Sequence, residues 1–468
     1  MSTIAAVTEA GLDQTHGVEL TPKNTRTLRS HEKGLREAAT TSSSPATAAE
    51  PDHQQYDTGP PPDGGLTAWS QVLAVHLGGA ITWGYGVGFS VFQLYYRETA
   101  LPMLSASQIS WIGSIQIFLA WTISMAAGRL GDMGYVRVCY GVGGILTVTG
   151  MMLTSICTEY WHFLLCQGVL NGIGSGILFL PAAANVGTYF QRNRNIAMAL
   201  GSVGTSLGGV LFPAIVQYLT PRVGFGWSVR VCGFVSLAMN LCGLAVLRQR
   251  NLFKTPRPMV DWTAFKNQRF SAYCAAVFLM HFSLIPVMFY INSFARETIG
   301  IASLEAINFV LIANGAAAFA RPVVGIVADR VLGAPNTYVC CALGFSALAY
   351  GWIGVQTRAD MYGFAVVLGV VNGGCQGIFP GATSTLISEE SGDLSKMGTW
   401  MGMVFAVCGV ASLAGPPIIG AIIGSSGGRY IWAQVVLGSL LFASAGMLFL
   451  APRVKGRAEK EDAIETSS

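Results

Sequence analysis

Charged side chains are scarce in this sequence. Lys, Arg, Asp and Glu together make up 11% of its 468 residues, whereas about a quarter of the residues in a soluble domain are charged. Hydrophobic residues make up 52%, and they lie in long runs. The shortage of charge therefore excludes an array of soluble domains and indicates an all-α membrane protein with many spanning segments.

The N-terminal region lacks the apolar run of a secretory signal peptide. Residues 1–62 are polar and rich in Ser, Thr, Ala and Pro, a composition that does not support a packed core. We predict that 1–62 is a disordered cytosolic tail and that 452–468 is a second cytosolic tail. The sequence also has no Asn-x-Ser/Thr acceptor, so no glycosylation site marks an outer loop.

Motifs for metal binding and catalysis are missing as well. None of the ten cysteines belongs to a Cys-x-x-Cys pair, and we interpret them as apolar packing residues. The sequence has no phosphate-binding loop, catalytic triad or spaced set of metal ligands. We therefore expect no enzyme activity, no cofactor and no metal. The modest net charge of +4 gives no reason to expect nucleic-acid binding.

Twelve apolar segments remain, and each has about 20 residues or more, which is enough to cross the bilayer as a helix. A helix is required there because no water is available to satisfy the backbone. The segments are Gln71–Tyr95, Ile109–Gly128, Val138–Cys157, Phe163–Val186, Ile196–Leu219, Trp227–Leu247, Ser271–Ala295, Ala306–Ala328, Thr337–Gln356, Met361–Ile387, Met397–Ile423 and Tyr430–Ala451.

The positive charges predict an orientation. Most of the 28 Lys and Arg residues fall on one side if both termini are cytosolic, in agreement with the positive-inside bias. Residues 248–270 are rich in these charges and are predicted to be a cytosolic central loop. This loop separates an N-terminal six-helix half, 63–247, from a C-terminal six-helix half, 271–451. The expected partners are the lipid bilayer and a small-molecule substrate, and the sequence identifies no protein partner.

The two halves repeat a glycine pattern. Gly168, Asn171, Gly172 and Gly176 in segment 4 recur as Gly369, Asn372, Gly373 and Gly377 in segment 10, at a shift of 201 residues. Gly128 and Asp132 recur as Gly325 and Asp329 at a shift of 197. Two parallel halves of this kind are typical of secondary transporters in which one half rocks against the other.

Arg321 is the least expected residue, because it lies well inside the eighth apolar segment. A guanidinium at membrane depth costs several kcal/mol, so it needs a water-filled cavity or a partner. One interpretation is a purely structural arginine that extends toward Asp329. The favoured interpretation is contact with an anionic or polar ligand in a central cavity, because the planar fork of donors suits a carboxylate.

The paired glycine–aspartate motifs fall at the predicted cytosolic ends of segments 2 and 8. Glycine allows two helices to approach closely, and a carboxylate favours the N-terminus of the following helix. We predict a cytosolic gate formed by Gly128, Arg129, Asp132, Gly325, Asp329 and Arg330. The alternative is an ordinary solvated turn at each place.

Other polar and aromatic side chains within the segments are weaker candidates for substrate binding. Asn171 and Asn372 either line the cavity or hydrogen-bond between closely packed helices. Tyr85, Tyr290 and Phe379 could offer aromatic surface to a bulky ligand. His281 is the candidate for proton coupling, because the spans contain no interior carboxylate; its alternative role is that of a packing imidazole.

Three further motifs stand at characteristic places: Asp63-Gly64-Gly65 with Trp69 before segment 1, Tyr189-Phe190-Gln191-Arg192 followed by Asn195, Ala197, Ala199, Gly201 and Gly204 into segment 5, and Arg321-Pro322 in segment 8. Together they resemble the motifs of the monocarboxylate porter family of the major facilitator superfamily, in its fungal branch. The resemblance extends from Asp63 to about Arg453. It implies the twelve-helix major facilitator fold and a proton-linked or facilitative carrier of small organic anions.

In that family an arginine in segment 8 binds the substrate carboxylate, and Arg321 matches it. Ala317 stands where the family has an aspartate, and the sequence from 71 to 96 has no lysine where lactate carriers have one. These departures favour a substrate other than lactate or pyruvate.

The resemblance therefore implies a transporter in the cell membrane that moves a small organic acid or an acidic metabolite by alternating access, with efflux of a fungal secondary metabolite as one direction. The alternatives are uptake of a nutrient or vitamin, or a non-transporting sensor with the same fold.

Overall fold

The computed structural model describes residues 62–190, 194–250, 260–391 and 397–451. Within these residues the chain is helical, and twelve helices are long and apolar enough to cross a membrane, which confirms the predicted fold class. We number them α1 to α12. They are Gly65–Ala100, Ala106–Leu130, Met133–Thr154, Tyr160–Tyr189, Ile196–Val223, Phe225–Val246, Gln268–Glu297, Glu305–Leu332, Ala334–Gly354, Arg358–Ile387, Thr399–Ser425 and Ile431–Leu450.

Most helices are longer than the apolar segments from which they are predicted. Helix α1 runs from Gly65 to Ala100, about one and a half turns further at each end than the apolar run, because polar residues at the membrane surface continue the backbone hydrogen bonds. The start of α2 is fixed by Ser105, whose hydroxyl accepts from the Gln108 backbone N–H in a capping box. The predicted tails 1–62 and 452–468 lie outside the described residues, apart from residue 62.

The repeated glycines make the same contact in both halves. A Cβ atom at Gly172 in α4 would lie 2.7 Å from the Gln116 carbonyl oxygen in α2. A Cβ atom at Gly373 in α10 would lie 2.7 Å from the Ala317 Cα in α8. Since no side chain fits at such distances, glycine at these positions allows the backbones to touch. The sequence repeat thus corresponds to two equivalent helix pairs, α2 with α4 and α8 with α10.

We predict that Gly373→Val lowers the stability of the folded protein by about 1–3 kcal/mol, because the added side chain forces α8 and α10 apart. Gly363→Val on the same helix is the matched control, since a Cβ atom there meets nothing within 4 Å. The measurement is the thermal unfolding midpoint in detergent. Equal midpoints for the two variants would contradict the close-packing role of the repeat.

The two halves meet along a seam formed mainly by α2 with α11 and α5 with α8. Helices α1 and α7 also pack against each other, through the second half of α1. Helices α1, α2 and α5 belong to the N-terminal half, whereas α7, α8 and α11 belong to the C-terminal half. Side chains at this seam are therefore the ones that a relative motion of the halves would rearrange.

Candidate functional site

Arg321 lies at the seam between the halves. It is 7% exposed, and its Nη1 donates a hydrogen bond of 3.2 Å to the Ser202 carbonyl oxygen in α5 of the other half. Its Nε is buried and has no hydrogen-bond partner in the described part of the chain. The guanidinium thus crosses the seam instead of following its own helix toward Asp329, and no carboxylate pairs with it among the residues described.

The glycine repeat makes room for this arginine. A Cβ atom at Gly377 in α10 would lie 3.3 Å from the Arg321 Cα and 3.4 Å from its Cβ and Cγ. Gly377 is the last of the three repeated glycines that pack α10 against α8. The same close packing that joins the two helices therefore also fixes the base of the Arg321 side chain.

An aromatic cluster spans the seam, and Trp121 in α2 is its centre. Its ring centroid lies 5.9 Å from that of His281 in α7, 6.1 Å from that of Phe379 in α10 and 4.9 Å from that of Phe405 in α11. These three partners belong to the C-terminal half, whereas Trp121 belongs to the N-terminal half. The contacts of Trp121 would thus change when the halves separate.

The N-terminal half adds two more rings. Trp83 in α1 lies 4.5 Å from Trp121, centroid to centroid, and Phe179 in α4 lies 6.0 Å from Trp83. We call the six rings of Trp83, Trp121, Phe179, His281, Phe379 and Phe405 the aromatic seam.

One ring of the aromatic seam approaches the helix that Arg321 contacts. A Cβ atom at Gly79 would be 3.3 Å from the Thr205 hydroxyl and 3.4 Å from the Phe179 ring. Thr205 is one helical turn after Ser202, whose carbonyl oxygen binds Arg321. Phe179 therefore lies next to the turn of α5 that holds the Arg321 contact, and the arginine and the aromatic seam both belong to the junction of the two halves.

His281 is fully enclosed by this seam. It is 1% exposed, its Nδ1 lies 3.1 Å from the Val277 carbonyl oxygen, and its Nε2 has no hydrogen-bond partner among the described residues. A bond to a carbonyl requires the proton on Nδ1, so Nε2 of the neutral ring is an acceptor. No described carboxylate pairs with His281, and its role in proton coupling stays a prediction.

The two predicted tyrosines lie elsewhere. The ring of Tyr85 packs against Phe92 and Phe212 inside the N-terminal half, at 5.1 and 5.7 Å. The Tyr290 hydroxyl donates a hydrogen bond of 2.9 Å to the Pro416 carbonyl oxygen in α11. Of the three predicted aromatic residues, the structure brings Phe379 into the seam.

The two symmetry-related asparagines differ in their surroundings. Asn171 belongs to a hydrogen-bond network inside the N-terminal half, because it accepts from Gln116 and donates to the Thr147 carbonyl oxygen. This network joins α2, α3 and α4, so Asn171 hydrogen-bonds between closely packed helices, which is the second of its two predicted roles. Asn372 is buried, and its Oδ1 has no hydrogen-bond partner in the described residues.

The predicted cytosolic gate is not assembled as an ion-pair cluster in the part of the chain that the structure describes. Gly128 packs on Leu180, with a Cβ distance of 3.2 Å, whereas Gly325 faces open space. Asp329 and Arg330 are exposed, and neither Arg129 nor Arg330 makes an ion pair with a described residue. The side chain of Asp132 lies outside the described residues. A gate at this end stays a prediction.

Charges pair across the halves at the opposite end of the bundle, where α1 and α7 end. Arg97 pairs with Glu297 at 2.5 Å, and Arg296 pairs with Glu98. The Tyr430 hydroxyl donates a further bond of 2.9 Å to Glu297. We call these five residues the outer latch, because the charge bias predicts this end to be outside.

A sequence signal for the outer latch exists but was missed. Arg97-Glu98-Thr99 recurs as Arg296-Glu297-Thr298 at a shift of 199 residues, close to the shifts of the glycine repeats. In two parallel halves such a repeat brings each arginine opposite the glutamate of the other copy. The outer latch is therefore a reciprocal pair of ion pairs.

Other contacts close the seam at the same end. The rings of Phe89 in α1 and Phe289 in α7 lie 5.0 Å apart. The Ser107 hydroxyl in α2 donates a hydrogen bond of 2.8 Å to the Pro417 carbonyl oxygen in α11. The structure thus holds the two halves together at the outer-latch end.

The motifs before α1 and after α4 contact each other. The Asp63 backbone N–H donates a 3.0 Å hydrogen bond to the Tyr189 carbonyl oxygen, and the Trp69 ring lies 5.1 Å from that of Phe190. The Tyr189 hydroxyl in turn donates to the Arg248 carbonyl oxygen at 2.9 Å. Two separate motifs and the start of the central loop therefore form one structural unit at the end of the bundle opposite the outer latch.

Comparison with known proteins gives consistent matches over the helical region. A sequence model described as Major Facilitator Superfamily matches residues 66–355 and 302–467. An MFS-type transporter of Gibberella zeae is 33% identical over 397 residues, 84% of this chain and 88% of the relative. The MFS-type transporter dbaD of Emericella nidulans is 36% identical over 364 residues, 78% of this chain and 81% of the relative. The aspyridones efflux protein apdF of the same species is 33% identical over 413 residues, 86% and 83% of the two chains.

Proposed function

The chain belongs to the Major Facilitator Superfamily, and from that premise we propose that it exports an acidic aromatic metabolite by alternating access. It is a multi-pass membrane transporter of small molecules and not an enzyme. The proposal adds the chemical class of the substrate, the direction of transport and the cell membrane as its location, with both termini cytosolic.

One observation carries the proposal: a buried guanidinium lies between the two halves, and within the described residues it has an unused donor and no acidic partner. Burying a lone cation costs several kcal/mol, and a carboxylate from a ligand would offset that cost with charge-assisted hydrogen bonds. Arg321 already bonds to Ser202 of the other half. A bound anion would therefore contact the residue whose partner changes when the halves rock.

The aromatic seam favours a large planar acid over a small one. Trp121, Phe379 and Phe405 offer ring faces and edges at the same junction of the halves that Arg321 crosses, and such surfaces bind apolar and aromatic bodies. Lactate and pyruvate have no group that would use them. The sequence also lacks the segment-1 lysine and has Ala317 in place of the aspartate. Both departures likewise favour a substrate other than lactate or pyruvate.

Efflux is the direction favoured by the relatives. The name of the apdF protein says that it exports aspyridones, and it covers most of this chain. The motif contacts of Asp63 with Tyr189 and of Trp69 with Phe190 support a finer assignment to the monocarboxylate porter type, since two of the motifs that suggested it form one unit.

Transport in liposomes tests the proposal. The purified protein is reconstituted, the vesicles are loaded with 2-naphthoate, and release is compared with that from protein-free vesicles and from vesicles loaded with lactate. We expect saturable release of naphthoate and little release of lactate. Binding of naphthoate without movement would favour the sensor. Neither binding nor movement of naphthoate would overturn the proposal.

A further inference from the structure

We infer that Trp121 and His281 together bind a hydroxyl group on the aromatic body of the substrate. The inference rests on the proposed function and specifies it: the substrate class becomes a planar acid that carries a phenolic or enolic hydroxyl. The carboxylate of such a ligand binds Arg321, and its hydroxyl binds between the indole of one half and the imidazole of the other.

The donor is the indole N–H of Trp121. Trp121 is 9% exposed. Its Nε1 is buried and has no hydrogen-bond partner in the described part of the chain. A buried polar group without a partner costs about 1–3 kcal/mol, and buried Trp N–H groups usually find one. The ring contacts fix this N–H within the aromatic seam.

The acceptor is Nε2 of His281. Because Nδ1 donates to the Val277 carbonyl oxygen one helical turn earlier, the ring keeps its proton on Nδ1 and presents a lone pair at Nε2. That atom is buried and has no partner among the described residues. Trp121 and His281 come from opposite halves and their rings are in contact, so one unused donor and one unused acceptor lie on neighbouring rings of the aromatic seam.

A single hydroxyl satisfies both atoms. Its proton is donated to Nε2 of His281, and its oxygen accepts from Nε1–H of Trp121. An oxygen at about 2.8–3.0 Å from each nitrogen bridges two nitrogens that lie up to about 6 Å apart. The two rings are neighbours across the seam, with their centroids 5.9 Å apart, so such a bridge requires the two nitrogens to be turned toward the same side. A carboxylate has no proton for Nε2, and an ammonium has no acceptor for the indole N–H.

The experiment compares two ligands that differ by one hydroxyl: 6-hydroxy-2-naphthoate and 2-naphthoate. We expect the wild-type protein to bind the hydroxylated acid about tenfold more tightly, the effect of two modest hydrogen bonds. Trp121→Phe keeps an aromatic ring and removes the N–H, and His281→Phe removes the acceptor. Each variant should reduce the preference to about threefold or less, and this ratio is the readout whatever the change in the affinity for 2-naphthoate itself.

A third ligand separates the two roles. 6-Methoxy-2-naphthoate keeps an oxygen acceptor for Trp121 but has no proton for His281. Relative to 2-naphthoate, its advantage should be lost in Trp121→Phe and kept in His281→Phe. Trp352→Phe is the matched control, because it removes another buried indole N–H, at the end of α9, that has no hydrogen-bond partner among the residues described. It should leave the ratios of affinity among the three ligands unchanged.

The outcomes distinguish this inference from the proposed function. If both acids bind equally to the wild-type protein, or if the preference survives in both variants, the hydroxyl site is overturned while the acid transporter stands. If neither acid binds, the proposed function falls and the hydroxyl site falls with it. Two independent variants are used so that a folding defect in one, visible as a lowered thermal midpoint, leaves the other as the test.

Discussion

Replacing Arg321 by Gln is expected to abolish transport of 2-naphthoate and, at the same time, to leave the fold intact or to stabilise it. Loss of the charge removes the partner of the bound carboxylate. Loss of one partner of a buried charge pair costs about 2–5 kcal/mol of binding free energy, or about thirtyfold or more in affinity. In the unliganded protein the same change removes a buried cation that has no acidic partner among the described residues. The two effects therefore have opposite signs.

The measurements are naphthoate affinity, transport rate in liposomes and the thermal midpoint in detergent. Arg321→Lys is the conservative comparison, because it keeps the charge but not the planar fork, and it should retain weak binding. Arg222→Gln in α5 is the control for loss of a positive charge, since Arg222 is exposed. Unchanged naphthoate transport by Arg321→Gln would exclude the anion site.

The sequence was sufficient for the fold because the controlling forces are local or periodic. A helix must satisfy its backbone within the bilayer, so apolar length alone predicts each of the twelve spans. The glycine repeat also has a direct structural meaning, since Gly172 and Gly373 mark backbone contacts that exclude any side chain. The helix ends were less predictable, because capping by a residue such as Ser105 is independent of hydropathy.

The site was only partly predictable. Arg321 was identified because a charge at membrane depth is conspicuous in any sequence. Trp121 could not be identified in this way, because tryptophan is an ordinary packing residue in membrane helices. Its place in the candidate site follows from its contacts with α7, α10 and α11. The prediction of Phe379 rests on its aromatic character alone. The same criterion also selects Tyr85, whose ring packs within one half. Which rings meet at the seam depends on how two halves dock, and no local pattern encodes that.

The position of the ion pairs between the halves was not predicted from the sequence. The glycine–aspartate motifs predict a gate at the cytosolic end, but the described ion pairs between the halves lie at the outer end. The repeat of Arg97-Glu98-Thr99 as Arg296-Glu297-Thr298 carried the information. It becomes meaningful only when the two parallel copies face each other across the seam, with each arginine against the glutamate of the other copy.

Reversing one charge of the outer latch is expected to open the outer end. Glu297→Arg removes the ion pair with Arg97 and the hydrogen bond from Tyr430, and it places two cations together. Partly exposed ion pairs contribute at most about 1 kcal/mol each, and repulsion between like charges adds a similar amount. A total of about 1.5–2 kcal/mol shifts the equilibrium between closed and open forms by about ten- to thirtyfold.

Accessibility of a cysteine at position 292 reports this shift. Asn292 is buried where α7 meets α1, and its amide donates to the Ser90 hydroxyl at 3.4 Å. In a background without the ten native cysteines, Asn292→Cys should be protected from a membrane-impermeant maleimide while the latch is intact. Adding Glu297→Arg should accelerate labelling by about tenfold or more.

The exchanged pair Arg97→Glu with Glu297→Arg separates the latch from a general loss of structure. It restores one ion pair with reversed polarity, so labelling at position 292 should return most of the way to the protected rate. Glu305→Arg is the matched control, because Glu305 pairs with Arg358 inside the C-terminal half and its loss does not release one half from the other. If Glu305→Arg accelerates labelling as much as Glu297→Arg, or if the exchanged pair stays fully accessible, the contacts across the halves do not hold the outer end closed. Protection would then have to come from the apolar contacts of Phe89 with Phe289, which none of these substitutions alters.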